Sequence, residues 1–250
     1  MARIHGTDTR IYVEEYNLSG RSNVLDLEAG ATVDEITAFE ETGDAQAFID
    51  SRASRNWNAK IGAFADYTST EIDAILNALV NSGGADKRCG FYITGAAAGS
   101  FGFEGIGLMR LMRNMAPMGP QRLDAEFIGR DATFMSQAMK LNEATVITTT
   151  GAGTAQQHRL AAASGDQIVF VARVTAVTGA GSATFRLEAA PDGSTWATVG
   201  TLTAMTAVGA QHAVYTAGGA VGPHFRLNTT AFSGFTNVTV RVAVGIIKNT

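Results

Sequence analysis

Hydrophobic and polar residues alternate in four short runs within the first 70 residues, and turn-forming residues separate these runs. The runs cover residues 11–18, 24–28, 32–39 and 57–67. In the fourth run apolar side chains occupy every second position, namely Trp57, Ala59, Ile61 and Ala63. A period of two between Gly, Ser and Asn residues is typical of antiparallel strands with one buried face and one wet face. The pattern therefore predicts an antiparallel sheet near the start of the chain.

Residues 70–81 follow a different period, that of an amphipathic helix. Apolar residues recur at the spacing i, i+3, i+4, i+7 and i+8, namely at Ile72, Ile75, Leu76, Leu79 and Val80. Glu71 and Asp73 lie in the first turn, where carboxylates interact favourably with the helix dipole. The spacing predicts one helix that packs on a face of the sheet, which makes the N-terminal part an α+β domain.

A charged segment with little periodicity, residues 40–55, separates two of the predicted strands. Connections in compact domains are usually much shorter, so we expect this segment to contact another subunit. The candidate contact residues are Glu40, Glu41, Asp44, Phe48, Ile49, Asp50, Arg52 and Arg55.

The second half of the chain differs from the first in charge and in predicted structure. Residues 1–142 contain 13 Lys or Arg and 19 Asp or Glu, whereas residues 143–250 contain 6 and 4. The predicted strands after residue 142 cover 145–149, 156–160, 167–177, 183–190, 196–202, 212–216, 224–229 and 237–247. Short strands at this spacing without a helix are typical of a β-sandwich. We therefore predict a domain at residues 1–142, a linker at 143–154 and a C-terminal β-sandwich at 155–250.

A glycine-rich tract at residues 95–107 resembles a phosphate-binding loop only in composition. Such loops carry a Lys-Ser or Lys-Thr pair before a helix, and this tract has neither. We predict a loop whose small residues allow close approach of the backbone, followed by strands at 106–115 and 121–130.

The overall composition argues against several function classes. A formal net charge of −4 does not favour a nucleic-acid-binding protein, which is usually basic. Cys89 is the only cysteine, and the four histidines show no metal-ligand spacing. No nucleophile motif is present, so we expect neither enzymatic activity nor a cofactor. The N-terminus has no apolar signal region and no run reaches about 20 apolar residues, so we expect a soluble protein without a membrane partner.

The stretch YNLSGRSNVLDLEAGATVDEITAFEETGDAQAF, followed by NWNAKIGAF, resembles the N-terminal domain of siphophage major tail tube proteins. The matching features are the LSG turn, the VDEITAFEETGDA strand with its acidic turn, and the strand that follows a long loop. The resemblance covers residues 1–140 and implies homo-hexameric rings stacked into a hollow tail tube, with a β-sandwich or barrel and one packed helix in each subunit. The run EAAPDGSTWATVG resembles immunoglobulin-like accessory domains of phage structural proteins, which implies an external sandwich with Trp196 in its core.

The same resemblance implies a location, partners and a use for the acidic residues. The protein would lie in the virion tail, and in the host cytoplasm during assembly, with the tape measure, terminator and distal tail proteins as partners. Phage DNA would pass through the tube without specific binding. Candidate lumen acids are Glu14, Glu15, Asp34 and Glu35, because carboxylates repeated around a ring repel DNA phosphates. Residues 40–55 would then form an inter-ring loop.

Two other functions remain open at this point. The first is a carbohydrate-binding adhesin that uses exposed aromatic residues of the C-terminal sandwich, such as Tyr215, Phe232 and Phe235. The second is a different structural part of the virion, such as a head decoration protein or a tube terminator.

Overall fold

The computed structural model describes residues 9–19, 22, 24–31, 34–36, 47–49, 55–64, 72–82, 86–114, 122–129 and 135–249. The described residues form a mainly β structure with one helix, α1 (Ile72–Asn81), which confirms the predicted fold class. The strands are β1 (Arg10–Val13), β2 (Tyr16–Asn17), β3 (Val24–Ala31), β4 (Asp34–Ile36), β5 (Ala47–Ile49), β6 (Arg55–Phe64), β7 (Lys87–Tyr92), β8 (Phe101–Asn114), β9 (Arg122–Ile128), β10 (Met135–Ile147), β11 (Gly151–Ala152), β12 (Gln156–Gln157), β13 (Gln167–Ala190), β14 (Ala197–Thr201), β15 (Gly209–Thr216) and β16 (His224–Ile247).

The chain divides into two compact units, and each unit consists of two or more separate segments of the sequence. The larger unit consists of Met1–Gly20, Arg88–Glu104 and Ser136–Thr250, and the smaller unit of Arg21–Lys87 and Gly105–Met135.

The smaller unit contains an antiparallel sheet with the strand order β3–β6–β9–β8. Ile61 on β6 pairs with Leu25 on β3 and with Ala125 on β9. Ile61 and Ala125 are fully buried, as are Trp57, Ala59 and Ala63 at the alternate positions predicted from the sequence. One face of this sheet is therefore apolar, and the opposite face carries the polar residues.

Helix α1 packs on the apolar face of that sheet. Ile72, Leu76 and Leu79 are buried, whereas Val80 is 37% exposed. Asp73 is also buried, and its Oδ1 accepts hydrogen bonds from Arg113 Nη2 on β8 at 2.9 Å and from Asn77 Nδ2 at 3.0 Å. The predicted helix is confirmed, and Asp73 in its first turn also links the helix to the sheet.

The larger unit is built on one long antiparallel ribbon of β13 and β16, each 24 residues long. β15 pairs with residues 167–174 of β13, and β14 pairs with residues 186–189. On the other side of the ribbon, β10 pairs with residues 238–246 of β16, and the sheet continues through β8, β7, β1 and β2. The short strands β11 and β12 pair with the first residues of β16.

Both halves of the ribbon contribute to one hydrophobic core. Phe170 comes from the first half of β13, Phe185 from its second half, and Phe225 and Val240 from the two halves of β16. Register shifts between residues 174 and 185 allow even-numbered positions of one half and odd-numbered positions of the other to face the same core. One ribbon therefore supplies two layers of the core, whereas the immunoglobulin-like topology stays a prediction.

The structure differs from the predicted division into residues 1–142, 143–154 and 155–250. Strand β10 continues through residues 143–147, and β1, β7, β8 and β10 belong to the same sheet as β13 and β16. The Thr-rich composition that indicated a linker corresponds to an exposed turn at residues 148–150 between two paired strands. Composition and charge change at this turn because the turn is exposed to solvent. They carry no information on strand pairing, so they could not show that the flanking strands belong to one sheet.

The glycine-rich tract is only partly a loop. It forms turns up to Ser100, and then strand β8 begins at Phe101. A Cβ atom on Gly102 would lie 2.0 Å from the carbonyl oxygen of Phe91, and one on Gly90 would lie 2.6 Å from Glu104 Oε1. The distance at Gly102 confirms the predicted close backbone approach, although Gly102 lies within a paired strand; Gly90 lies outside the tract and approaches a side chain.

We expect Gly102→Ala to destabilise the protein by about 3 kcal/mol, since the added methyl group meets backbone atoms that cannot move aside. Thermal denaturation followed by circular dichroism measures the change. Gly218→Ala is the matched control, because a Cβ atom there meets no atom within 4 Å. Equal melting temperatures for the two variants would contradict the expectation.

Candidate functional site

The candidate lumen acids do not lie together on one strand face in the described part of the chain. Glu14 and Glu15 form the turn between β1 and β2, where Glu14 has a positive φ of 50°. The predicted single strand at residues 11–18 is therefore wrong. Asp34 and Glu35 lie in β4, which pairs with β5.

Glu14 is buried and its charge is compensated. Glu14 Oε1 accepts from the backbone N–H of Arg88 at 2.8 Å, and Oε2 accepts from Arg88 Nη1 at 2.9 Å. Arg88 Nε donates to His212 Nδ1 on β15 at 2.9 Å. Arg88 lies on β7, and β15, which carries His212, pairs with β13. Since β7 and β13 are four strands apart in the sheet, the contact between Arg88 and His212 requires the sheet of the larger unit to be strongly curved.

The predicted inter-ring loop lies mostly outside the described residues, which include none of Glu40, Glu41, Asp44, Asp50 and Arg52. Phe48 and Ile49 lie in β5, opposite Glu35 and Asp34 of β4, and Arg55 is the first residue of β6. The segment thus contains a short strand that its low periodicity did not predict.

The polar face of the smaller unit's sheet carries a row of alternating charges across all four strands. Asp26 on β3 is opposite Lys60 on β6, Lys60 is opposite Glu126 on β9, and Glu126 is opposite Arg110 on β8. Arg110 forms an ion pair with Glu126, and Lys60 Nζ lies 3.0 Å from Asp124 Oδ2. We call this surface, Asp26, Lys60, Asp124, Glu126 and Arg110, the charged face.

Glu126 of the charged face is held in its ionised form, and the face also carries apolar side chains. A hydrogen bond from Asn58 Nδ2 lowers the pKa of Glu126, and Arg110 acts in the same direction. Leu108, Met112 and Ile128 lie on the same face, each between 37% and 39% exposed. With three carboxylates and two cations among its five charged members, the charged face is net acidic.

The larger unit contains a buried cluster of charged and phenolic groups, which we call the ion cluster. Its members are Tyr12, Tyr92, Glu104, Lys140, Glu143, Arg173 and Arg241. Arg173 forms a bidentate pair with Glu104, with Nη1–Oε1 at 2.7 Å and Nη2–Oε2 at 2.6 Å, and the two side chains are 2% and 1% exposed. Tyr92 donates its hydroxyl hydrogen to Glu104 Oε1 at 2.6 Å.

The second carboxylate of the ion cluster, Glu143, is held by two cations. Lys140 Nζ lies 2.8 Å from Glu143 Oε2, and Arg241 Nε lies 2.8 Å from Oε1. Lys140 also donates to the Tyr12 hydroxyl oxygen at 2.7 Å, and its ammonium lies 4.5 Å from the centre of the Tyr12 ring. These groups hold the strands β1, β10 and β16 together on the face of the sheet opposite the hydrophobic core.

The pKa values in the ion cluster follow from burial and pairing. Burial and the neighbouring carboxylates raise the pKa values of Tyr12 and Tyr92, so both phenols stay protonated. Burial acts to raise the pKa of Glu143, but hydrogen bonds from Lys140 and Arg241 lower it overall. Burial lowers the pKa of Lys140, against the attraction of Glu143. At neutral pH the two phenols are therefore protonated and Glu143 is ionised.

A separate buried histidine, His158, lies between two aromatic rings. Its ring centre is 5.7 Å from that of Phe101 and 6.2 Å from that of Phe225. Its Nδ1 accepts from the backbone N–H of Leu160 at 3.0 Å. Burial lowers the pKa of His158, and Arg159 adds to the shift, so the folded protein holds a neutral imidazole.

We expect the wild type to lose stability as the pH falls below about 6.5, the pKa of an unfolded histidine. The folded-state pKa of His158 is depressed, so the unfolded state binds the extra proton first and gains stability. His158→Asn, which keeps an acceptor for Leu160, should lose less stability between pH 7 and pH 5. Urea denaturation across this range measures the difference, and parallel profiles for the two proteins would contradict the expectation.

The aromatic residues proposed for sugar binding are largely covered. Phe235 is 7% exposed and belongs to the core, and Phe232 packs against it. Tyr215 is half-buried, with its hydroxyl donating to the carbonyl oxygen of Thr201 at 3.0 Å. Trp196 is half-buried and lies outside the core residues, with the Arg226 guanidinium 4.2 Å from its ring centre. The prediction of an exposed aromatic is therefore wrong for Phe235, and Tyr215 and Phe232 are only partly exposed. The prediction of a core tryptophan is wrong.

Within the described residues, no group of three or more His, Cys, Asp or Glu side chains could hold a metal ion, and Cys89 is buried. None of the described helices is long and apolar enough to cross a membrane.

Sequence alternation predicts part of the charged face but none of the ion cluster. Asp26, Lys60 and Glu126 alternate with apolar residues in β3, β6 and β9, which is typical of solvent-facing positions. Arg173 and Arg241 also alternate with apolar residues, so the sequence predicts that they face solvent. No local pattern shows that both faces of a strand are buried.

No family model and no curated protein matches the chain. Among solved structures, the chain is similar to the Dit (gp 19.1) protein of phage SPP1, described as a paradigm of hub adsorption apparatus in phages infecting Gram-positive bacteria. That similarity has 13% identity over 96% of this chain and 99% of that chain, with a TM-score of 0.30. A structure of infectious bursal disease virus, Gx strain, matches with 9% identity over 97% of this chain and 57% of that chain, with a TM-score of 0.28. TM-scores of this size do not establish a common fold.

Proposed function

We propose that this chain is a structural protein of a phage virion whose copies form hexameric rings that stack into the tail tube. The observation that carries the proposal is the architecture of the smaller unit. Its antiparallel sheet has one helix on the apolar face and a charged opposite face, and residues 32–54 join the paired strands β3 and β6. This agrees with the order of strands, long loop and helix that the sequence resemblance implies. The tape measure, terminator and distal tail proteins would be its partners.

In this proposal the charged face lies towards the DNA channel. Each copy contributes Asp26, Asp124 and Glu126 against Lys60 and Arg110, and six copies would multiply this acidic excess around the ring. Like-charge repulsion, screened over about 8 Å at physiological salt, would let DNA pass without adhering. In this proposal Asp26, Asp124 and Glu126 repel the DNA in place of Glu14, because Arg88 compensates the charge of Glu14 inside the subunit.

Electron microscopy of the purified full-length protein tests the assembly. We expect hollow tubes or six-fold rings at high protein concentration. A protein that stays monomeric under all conditions that favour assembly would contradict the proposal. Copy number per virion separates a tube subunit, which is present in large multiples of six, from a decoration or terminator protein. Saturable binding on a glycan array would instead favour the adhesin.

The role of the charged face has its own test. We expect empty wild-type tubes to bind duplex DNA weakly, and the triple variant Asp26→Lys, Asp124→Lys, Glu126→Lys to bind it in a salt-dependent manner, since phosphate contacts by lysine release counterions. Asp192→Lys is the control, because Asp192 lies in an exposed turn of the larger unit. Tight DNA binding by wild-type tubes would exclude the channel role.

A further inference from the structure

A small cavity adjoins the ion cluster. Its volume is about 10 Å³, and its lining includes Lys140, Asn142, Glu143, Arg173 and Arg241. A volume of this size holds one water molecule or one small ion. The cavity lies wholly within the larger unit, on the face of the sheet opposite the hydrophobic core.

The charges around this cavity do not cancel. The ion cluster contains three cations, Lys140, Arg173 and Arg241, but only two carboxylates, Glu104 and Glu143. Glu104 is bidentate to Arg173, so Glu143 alone is shared by Lys140 and Arg241. Buried charges are normally paired, because transfer from water to protein penalises an uncompensated charge. The members of the ion cluster therefore carry one positive charge in excess, although Arg241 and Glu143 are 18% and 21% exposed.

Two buried polar atoms of the lining residues also lack a hydrogen bond among the described residues. Arg173 uses both of its Nη atoms on Glu104, while its Nε–H has no acceptor. The Oδ1 atom of Asn142 is buried and accepts no hydrogen bond. A carboxamide can be rotated by half a turn, which exchanges its oxygen and its NH₂ group. The site can then present N–H donors from both Arg173 and Asn142.

We propose that this cavity binds one monovalent halide ion, with chloride as the physiological form. A halide would accept hydrogen bonds from Arg173 Nε and from the turned amide of Asn142, and it would supply the missing negative charge. Water would satisfy the donors but not the charge. A metal cation would be repelled by three positive groups, and a divalent sulfate or phosphate ion would bring more negative charge than the single positive charge left over in the cluster. This site does not depend on the proposed tube function.

Thermal denaturation of the full chain tests the site in solution. We expect the melting temperature to rise by about 4 °C when gluconate is replaced by 100 mM chloride at constant ionic strength, with saturation, as expected for a ligand that binds only the folded state. Gluconate is the reference because it is monovalent and too large for the cavity. Equal melting temperatures in the two salts would overturn the proposal.

Asn142→Leu should abolish the chloride dependence, since leucine fills a similar volume and donates no hydrogen bond. Asn237→Leu is the matched control, because Asn237 lies on the same unit and bonds only the exposed Thr178 in the contacts described for it. The control should keep the full chloride response. A chloride response that survives in Asn142→Leu would overturn the assignment to this cavity.

Anomalous diffraction from crystals grown in bromide provides a readout that needs no variant. We expect a bromide peak within about 3.5 Å of Arg173 Nε, a typical distance for a halide that accepts an N–H hydrogen bond. A water molecule at this position, or bromide peaks only at surface sites, would overturn the proposal and indicate an adventitious ion only.

Discussion

We expect Arg173→Met to lower the free energy of unfolding by about 3–5 kcal/mol, the usual cost of removing one partner from a buried ion pair. Arg173 and Glu104 are almost fully buried, and the variant leaves the Glu104 carboxylate with only the Tyr92 hydroxyl as a described side-chain donor. Urea denaturation of the full chain, followed by circular dichroism, measures the loss.

Two further variants separate the loss of the pair from general damage. The double variant Arg173→Met, Glu104→Leu should recover part of the stability, because no unpaired charge remains. Recovery should be incomplete, since Tyr92 loses its acceptor. Arg110→Met is the exposed control, with Arg110 57% exposed and an expected cost below about 1 kcal/mol. If Arg173→Met costs no more than Arg110→Met, the ion cluster does not stabilise the fold.

We expect a chain truncated after Lys140 to lose the fold of the larger unit completely. The truncation removes β13 and β16, and with them one of the two neighbours of β10 and all but one of the buried residues of the hydrophobic core that the ribbon builds. It also removes Arg173 and Arg241, which leaves Glu104 without its paired cation. The sequence alone leads to the opposite expectation, namely that residues 1–140 fold and polymerise without the second half.

Nuclear magnetic resonance spectra and electron microscopy of residues 1–140 measure this outcome. Collapsed amide dispersion for the residues of β1 and β7, together with loss of assembly, is the expected result. Co-expression of residues 141–250 as a separate chain should restore both, because the strand pairing is non-covalent. Tubes formed by residues 1–140 alone would contradict the structure and support an independent N-terminal domain.

Several elements followed directly from local patterns. The spacing from Ile72 to Leu79 predicted α1, and alternation from Trp57 to Ala63 predicted both the existence of β6 and its buried face. Such features depend on residues a few positions apart, so the sequence contains them. The failures were also local in origin: the turn at Glu14 and Glu15 looked like strand, and the exposed turn at residues 148–150 looked like a linker.

The charged face could be predicted in part. Each of its strands shows which residues are wet, but only the register places Asp26, Lys60, Glu126 and Arg110 in one row. Register depends on the pairing of strands separated by up to a hundred residues, and no local pattern encodes it.

The sequence by itself determined that this protein is mainly β, where its helix lies and which strand faces are apolar, because these follow from the periods of the side chains. Only the tertiary structure decided how the strands combine into two interleaved units and which polar residues are buried. Lys140, Arg173 and Arg241 have the alternating pattern of solvent-facing residues, yet Lys140 and Arg173 are almost fully buried. The curvature of the sheet brings distant strands together over that face, and burial then requires the charges to pair with one another.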